Sequence, residues 1–273
     1  MMPLDSKATL VCQHIPKTAG TTFRVILENI YSDRELISVE SPEQVESLTL
    51  NEEQRVELKM IMGHASEWFP RRYPGKYQFI TFVRDPFSRL VSHYDYIRRT
   101  RADPHHSAVI EMSLMDFVTS DIRQDDYQAR LISWPFDDIQ RHPRLLKKRE
   151  ELKIWMREVL EHHYLLVGLV ERFDESLVLM KRMLGWPFYP HYTRLQQAGE
   201  SRKSAIPVDI AALIRERYLV VDSLLYEWAN DELDAQIAKQ GSDYFDELER
   251  FRQAQERIDR LVRQAVAEAA MRS

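Results

Sequence analysis

A single cysteine, Cys12, excludes any intrachain disulfide, and with no Cys/His cluster around it a structural zinc site is excluded as well. A reducing compartment fits that usage. The first ten residues lack the apolar core of a signal peptide, and no later stretch approaches the ~20 apolar residues needed to cross a bilayer. The expectation is a cytoplasmic protein with no membrane span. An excess of basic charge is missing too: 38 Lys+Arg stand against 43 Asp+Glu, for a formal net charge of -5. Nucleic acid is therefore not an expected partner. Against these absences, 44% of the 273 residues are hydrophobic and 30% charged, so the chain can bury a sizeable core and the bulk is neither disordered nor of low complexity.

Short apolar runs alternate with amphipathic stretches. Ala8 to Ile15, stopped by Pro16, has the character of a buried strand. Beyond it Phe23, Ile26, Leu27 and Ile30 form one helical stripe. Residues 42–59 suit one or two surface helices, leading into a strand that ends at His64. Tyr77 to Val83, rich in β-branched and aromatic residues between Pro74-Gly75 and Asp85-Pro86, is a further strand, and Pro86 suits the first turn of a helix through Arg99. Helical pieces are expected near 112–118 and 127–132, a strand at 164–170, and a helix at 174–184 closed by Gly185-Trp186-Pro187. A polar loop covers 196–204, and Pro207 opens a helix carrying Ile210, Leu213, Tyr218, Val221, Leu224, Leu225 and Trp228 mostly inward. Strands alternating with helices imply an α/β fold: a P-loop-like parallel sheet flanked by helices, spanning 8–230. Residues 231–273 form a C-terminal helical extension. There Tyr244, Leu248, Phe251, Gln255, Ile258, Val262, Ala265 and Ala269 repeat alternately four and three apart, a heptad seam. That seam either packs back on the parent domain or joins two copies into a homodimer.

Two loops carry the chemistry. Between the first strand and its helix lies His14-Ile15-Pro16-Lys17-Thr18-Ala19-Gly20-Thr21-Thr22, where helix-start N–H groups, the helix dipole, Lys17 and the Thr hydroxyls converge on one spot. A phosphate or sulfate fits there. The Walker A order is absent, because Lys17 precedes the only glycine, so an ordinary ATP or GTP site is disfavoured. After the strand ending at Val83, Arg84 stands at the strand terminus and Ser92 two turns into the next helix, suited to a second phosphate at the carboxyl edge of the sheet. Two anion sites imply a doubly phosphorylated nucleotide.

With these residues in place, the chain resembles the sulfotransferases that use 3′-phosphoadenosine 5′-phosphosulfate (PAPS). The segment His14 to Phe23 is similar to their 5′-phosphosulfate loop, and Arg84 with Ser92 to their 3′-phosphate motif. The carbohydrate branch with heparan sulfate 2-O- and 6-O-sulfotransferases is the nearest in pattern, supported by Val167 to Leu177 and Asp222 to Glu227. The signature of the cytosolic phenol and steroid enzymes is absent, which leaves small phenols or alcohols as second-choice acceptors. The resemblance implies PAPS as co-substrate and a hydroxylated glycan or glycoside as acceptor; His105-His106 and His162-His163 have no partners at metal-ligand spacing, so no essential metal is expected. The resemblance also implies that Thr18, Ala19, Gly20, Thr21 and Thr22 bind the 5′-phosphate and that Lys17 neutralises the leaving group. It makes His64, in Gly63-His64, the catalytic base, with Glu67 in reserve.

Other readings stay beside it. His14 packs under its loop, and His93 is either structural or in the site. Arg89, Tyr94, Arg98 and Arg99 line the acceptor cleft or form a solvated helix face. The basic run Arg141, Arg144, Lys147, Lys148, Arg149 is surface charge or an acidic-glycan site, and Arg202 with Lys203 stand where the family closes over the nucleotide. The rival functions are a P-loop kinase or other nucleotide phosphotransferase, which needs an acidic Mg²⁺ ligand, and a catalytically silent nucleotide-binding scaffold assembling through the seam.

Overall fold

The computed structural model describes residues 3–136, 149–193 and 206–272. Arg141, Arg144, Lys147 and Lys148 of the basic run, and Arg202 and Lys203, lie outside the described residues.

Five parallel strands build the sheet: β1 (Thr9–Gln13), β2 (Leu36–Ser38), β3 (Met60–Gly63), β4 (Tyr77–Val83) and β5 (Tyr164–Leu169), in the order β2-β3-β1-β4-β5. Strands β3 and β5 are buried along their whole length and β4 along all but its first residue, as expected where helices cover both faces. Strand β1 is central, with Cys12 level with Met62 on one side and Ile80 on the other. The chain fills one edge with β2 and β3 and the other with β4 and β5, so its direction reverses beside β1. In open parallel sheets that reversal opens a crevice at the carboxyl ends of the strands.

Helix α1 (Gly20–Ile30) follows β1 and buries Phe23, Ile26 and Leu27, the stripe expected from the sequence. Helices α2 (Pro42–Ser47) and α3 (Glu52–Glu57) are the two surface helices before β3. After α4 (Phe69–Arg72) and β4 comes α5 (Pro86–Arg99), which starts where Asp85 accepts a hydrogen bond from the Ser88 amide with Pro86 in the first turn. Short helices α6 (His106–Val109), α7 (Leu114–Thr119) and α8 (Tyr127–Ser133) follow. Helix α9 (Arg149–His163) leads to β5, and α10 (Phe173–Leu184) ends on Gly185 in the left-handed conformation.

The structure adds two elements and corrects one expectation. The three-residue edge strand β2 carries no periodic signal of its own and exists by pairing with β3. Helix α9 is added, with Leu152, Met156, Val159 and Leu160 as its buried stripe. The helix opened by Pro207 is two, α11 (Val208–Tyr218) and α12 (Val220–Ala238), broken at Leu219, and Leu213 and Leu224 are exposed rather than inward. The break is tertiary in origin: the Asp126 carboxylate, buried on a neighbouring segment, accepts the amides of Val221 and Asp222 and so caps a new helix there.

The heptad seam lies on one continuous helix, α13 (Asp243–Arg272). Its first half packs back: Tyr244, Leu248 and Phe251 join the same buried cluster as the sheet. Gln255 is buried too, donating to the Tyr192 carbonyl and accepting from the Tyr192 amide. Farther along, Leu261 and Val266 are exposed. Among the described residues no helix is long and apolar enough to cross a membrane.

Candidate active site

A cleft of about 1090 Å³ opens at the carboxyl edge of the sheet, where β1, β3 and β4 end. It is lined by Lys17, Ala19, Gly20, Thr21, Thr22, His64, Glu67, Arg84 and Ser92, so the residues proposed from two separate loops meet in one place. Thr18 is the exception. It is buried, and its hydroxyl donates to the Ile15 carbonyl, tying the loop to itself.

The loop after β1 takes an unusual backbone path. Lys17 and Ala19 both have positive φ, at 74° and 65°, in the left-handed region that non-glycine residues rarely enter. Such alternation turns successive N–H groups inward, and strain of this kind persists where surrounding structure enforces it. Helix α1 begins directly after, with no side-chain cap and no acidic residue in its first turn. Its free N–H groups and positive dipole end therefore face the cleft unopposed. Gly20 is required for a different reason: a Cβ there would stand 1.8 Å from the His14 ring. His14 thus packs against its own loop, and burial together with the charges of His64, Arg24 and Lys17 holds its pKa down to about 3.

His64 follows Gly63, whose φ of 121° is accessible to glycine and whose Cβ would meet the Val39 carbonyl oxygen at 2.0 Å. The His64 ring stacks on His14 with centroids 4.0 Å apart, and its Nδ1 lies 3.2 Å from the His14 carbonyl oxygen. A carbonyl can only accept, so in the neutral ring Nδ1 carries the proton and Nε2, 3.9 Å from Glu40 Oε2, holds the lone pair. Partial burial and the Arg24 charge lower the His64 pKa below its usual value, the His14 hydrogen bond opposing them. The imidazole is consequently neutral near pH 7. Glu67 is 7% exposed, its Oε2 has no hydrogen-bond partner, and burial raises its pKa to about 7.

Arg84 is held by three contacts. Its amide donates to Gln128 Oε1 and its carbonyl accepts from Gln128 Nε2, both at 2.9 Å, while its NH1 donates to the Lys17 carbonyl at 3.3 Å. Its Nε makes no hydrogen bond and lies 4.0 Å from Glu171. Gln128 is itself positioned by Asp222, which accepts the amides of Gln128 and Ala129 and so caps α8. Burial raises the Asp222 pKa to about 6. Neither Gln128 nor Asp222 was expected to serve the site from local pattern, because their effect on Arg84 runs through tertiary contacts.

The remaining candidates divide. Arg99 and His93 line the cleft, and burial with the Arg89 charge takes the His93 pKa down to about 4. Arg89 does not form a solvated face. It is fully buried, its guanidinium 4.6 Å from the Tyr127 ring. Tyr94 is buried, donating to the Met112 carbonyl, and Arg98 leans on it. Tyr96 also lines the cleft and is exposed there, a position with no local sequence signal. Arg149 is also structural, bound to Asp126 and the Arg217 carbonyl. On the opposite wall stand Arg172, Phe173, Asp174, Glu175, Tyr192 and Arg252 from the last helix. Among the described residues no three His, Cys, Asp or Glu side chains gather as a metal site.

The comparisons with known proteins bear on the same residues. A galactose-3-O-sulfotransferase family model matches residues 61–272, which include His64, Glu67, Arg84 and Ser92, while the Lys17 loop precedes the matched span. Galactose-3-O-sulfotransferase 3 of Bos taurus is 36% identical over 102 residues, 36% of this chain and 24% of that protein. The aligned stretch thus spans about a quarter of the length of this relative. This family lies within the carbohydrate sulfotransferases that the sequence motifs resemble, and the match over most of the chain decides the assignment: the chain is a member of the galactose-3-O-sulfotransferase family.

Proposed function

We propose that the cleft binds PAPS and transfers its sulfuryl group to a hydroxyl of a galactose-containing glycan or glycoside. The observation that carries this reading is the meeting of two anion-binding elements, the Lys17 loop with its uncapped helix and the Arg84/Ser92 pair, in one cleft with His64 on its wall. Two anion-binding elements in one cleft suit a nucleotide phosphorylated at both ends of its ribose. Arg84 lines the cleft on a backbone clamped by Gln128, which suits its guanidinium to the 3′-phosphate.

In the reaction the acceptor oxygen forms a bond to sulfur as the bond from sulfur to the bridging phosphate oxygen breaks. The acceptor proton passes to Nε2 of His64, which the His14 carbonyl leaves free to receive it. The electron pair of the broken bond stays on the 5′-phosphate, where Lys17 and the N–H groups of α1 stabilise it, an interaction that strengthens as charge develops. Glu67 is the second candidate for the base, because one of its oxygens is unpaired and its pKa lies near the working pH.

Calorimetric titration with 3′-phosphoadenosine 5′-phosphate (PAP), ADP and ATP without metal tests the reading. We expect PAP to bind at least tenfold tighter than ADP, and Arg84→Ala to remove that preference, a loss of ~1.5 to 3 kcal/mol for one charge-assisted contact. Equal binding of ADP and PAP, or unchanged PAP affinity in Arg84→Ala, would sink it. Wild type should then sulfate a galactoside from PAPS.

A further inference from the structure

Helix α5 presents Ser92, Tyr96 and Arg99 at positions i, i+4 and i+7, one face of an α-helix, and all three line the cleft. Ser92 belongs to the phosphate site described above. The role of Tyr96 follows from what Lys17 lacks. The Lys17 ammonium lies within electrostatic reach of three guanidiniums, those of Arg99 and Arg89 on α5 and of Arg84 after β4. The carboxylates lining the cleft are Glu67, Asp103, Glu171, Asp174 and Glu175, and among the described residues none forms an ion pair with Lys17. Its Nζ lies instead 4.4 Å from the centroid of the Tyr96 ring.

An ammonium facing three guanidiniums needs an electron-rich neighbour, and the face of an aromatic ring is one. A carboxylate in that place would bind the ammonium more strongly, would repel the incoming phosphosulfate, and would have to be displaced at each turnover. A ring attracts the cation, adds no negative charge, and is easily surrendered. We infer that Tyr96 is a positioning residue that holds the Lys17 ammonium over its ring, inside the cleft, ready to shift onto the leaving phosphate oxygen. The direction of that shift rests on the sulfotransferase reading, whereas the contact itself does not.

The experiment has two arms. In protein labelled with [ε-¹³C]lysine, the Lys17 signal is assigned by its loss in Lys17→Ala and titrated in wild type, Tyr96→Phe and Tyr96→Leu. Removing the ring removes a stabiliser of the ammonium, so Lys17 in Tyr96→Leu should deprotonate about half a pH unit lower or more, while Tyr96→Phe titrates like wild type. Coincident curves for Leu and wild type, or equal displacement in Phe and Leu, overturn the inference. Tyr96 is 41% exposed, so both variants should fold. In the second arm, PAPS turnover should fall about tenfold or more in kcat for Tyr96→Leu and recover in Tyr96→Phe, with PAP affinity within about threefold of wild type, since a lost transition-state contact lowers kcat more than binding. A kcat for Tyr96→Leu equal to wild type also overturns it. Should wild type neither bind PAP nor turn over, the sulfotransferase reading fails and the lysine titration still decides the contact.

Discussion

His64 and Glu67 approach neutrality at pH 7 from opposite sides. Burial lowers the pKa of one and raises that of the other, because it disfavours whichever form is charged. A base must be deprotonated to act, so kcat/KM should rise with pH through the pKa of the working base and then level. If His64 serves, the midpoint lies below 6.5; a midpoint near 7 that disappears in Glu67→Gln would assign the role to Glu67 instead. His64→Ala should reduce turnover by ~10²- to 10⁴-fold, the usual contribution of a positioned base. Glu67 also carries a stability signature. Its folded pKa of about 7 lies above the ordinary carboxylate value of 4.5, so the folded state binds more protons between those limits and loses stability as pH rises through them. The penalty is fully present above pH 7 and absent below 4.5, on the order of 3 kcal/mol at most. Glu67→Gln should therefore melt higher than wild type at pH 8 and alike at pH 4; a higher wild-type melting temperature at pH 8 would contradict the burial argument.

At the scale of elements, two buried aspartates exchange caps. Asp126, at the start of α8, accepts the first amides of α12, and Asp222, in the first turn of α12, accepts the first amides of α8. Gln128, fixed by this exchange, clamps both backbone groups of Arg84. Losing a cap typically costs ~1 kcal/mol, and a buried amide left unpaired adds to that. Asp222→Ala should accordingly lower the melting temperature by several degrees and weaken PAP several-fold, though it touches no ligand. Gln128→Ala should weaken PAP with a smaller loss of stability, and unchanged PAP affinity there would show that Arg84 does not depend on the clamp. The sequence displays little of this. Strand-loop-helix units, the Lys17 loop and the Arg84/Ser92 spacing are local patterns, legible because apolar period and turn residues sit within a dozen positions. The Gln128 clamp joins residues 44 positions apart, the cap at the Leu219 break joins residues 95 apart, and the burial of Arg89 replaces a solvent face by a tertiary one. Tyr96 was invisible for a related reason: nothing in its neighbours distinguishes an exposed tyrosine from one beneath a lysine.

Across the whole molecule, the reversal of strand order beside β1 places the ends of β1, β3 and β4 around one crevice, and the last helix reaches the same crevice from the far side through Arg252. Arg252 pairs with Glu175, while Lys181 and Arg182 on α10 pair with Glu247. The helix is thus fastened to α10 by ion pairs around a buried apolar strip. Partly exposed pairs contribute little each, so the strip should supply most of the attachment. Phe251 is fully buried against Tyr189 and His191, its ring stacked on His191 with centroids 5.1 Å apart. Phe251→Ala removes a large side chain that the surroundings cannot refill, a change that costs ~3 to 5 kcal/mol. Leu261 and Val266, both 64% exposed on the same helix, have no such burial to lose. Thermal melts should therefore separate the halves of one continuous helix: a large drop for Phe251→Ala, and almost none for Leu261→Ser with Val266→Ser. An equally large drop in the double variant, growing with protein concentration, would mean that a second copy covers the outer half. The helix would then make its contacts on two faces, inward along the seam at Tyr244 to Gln255 and outward at Leu261 and Val266, which lie beside the seam.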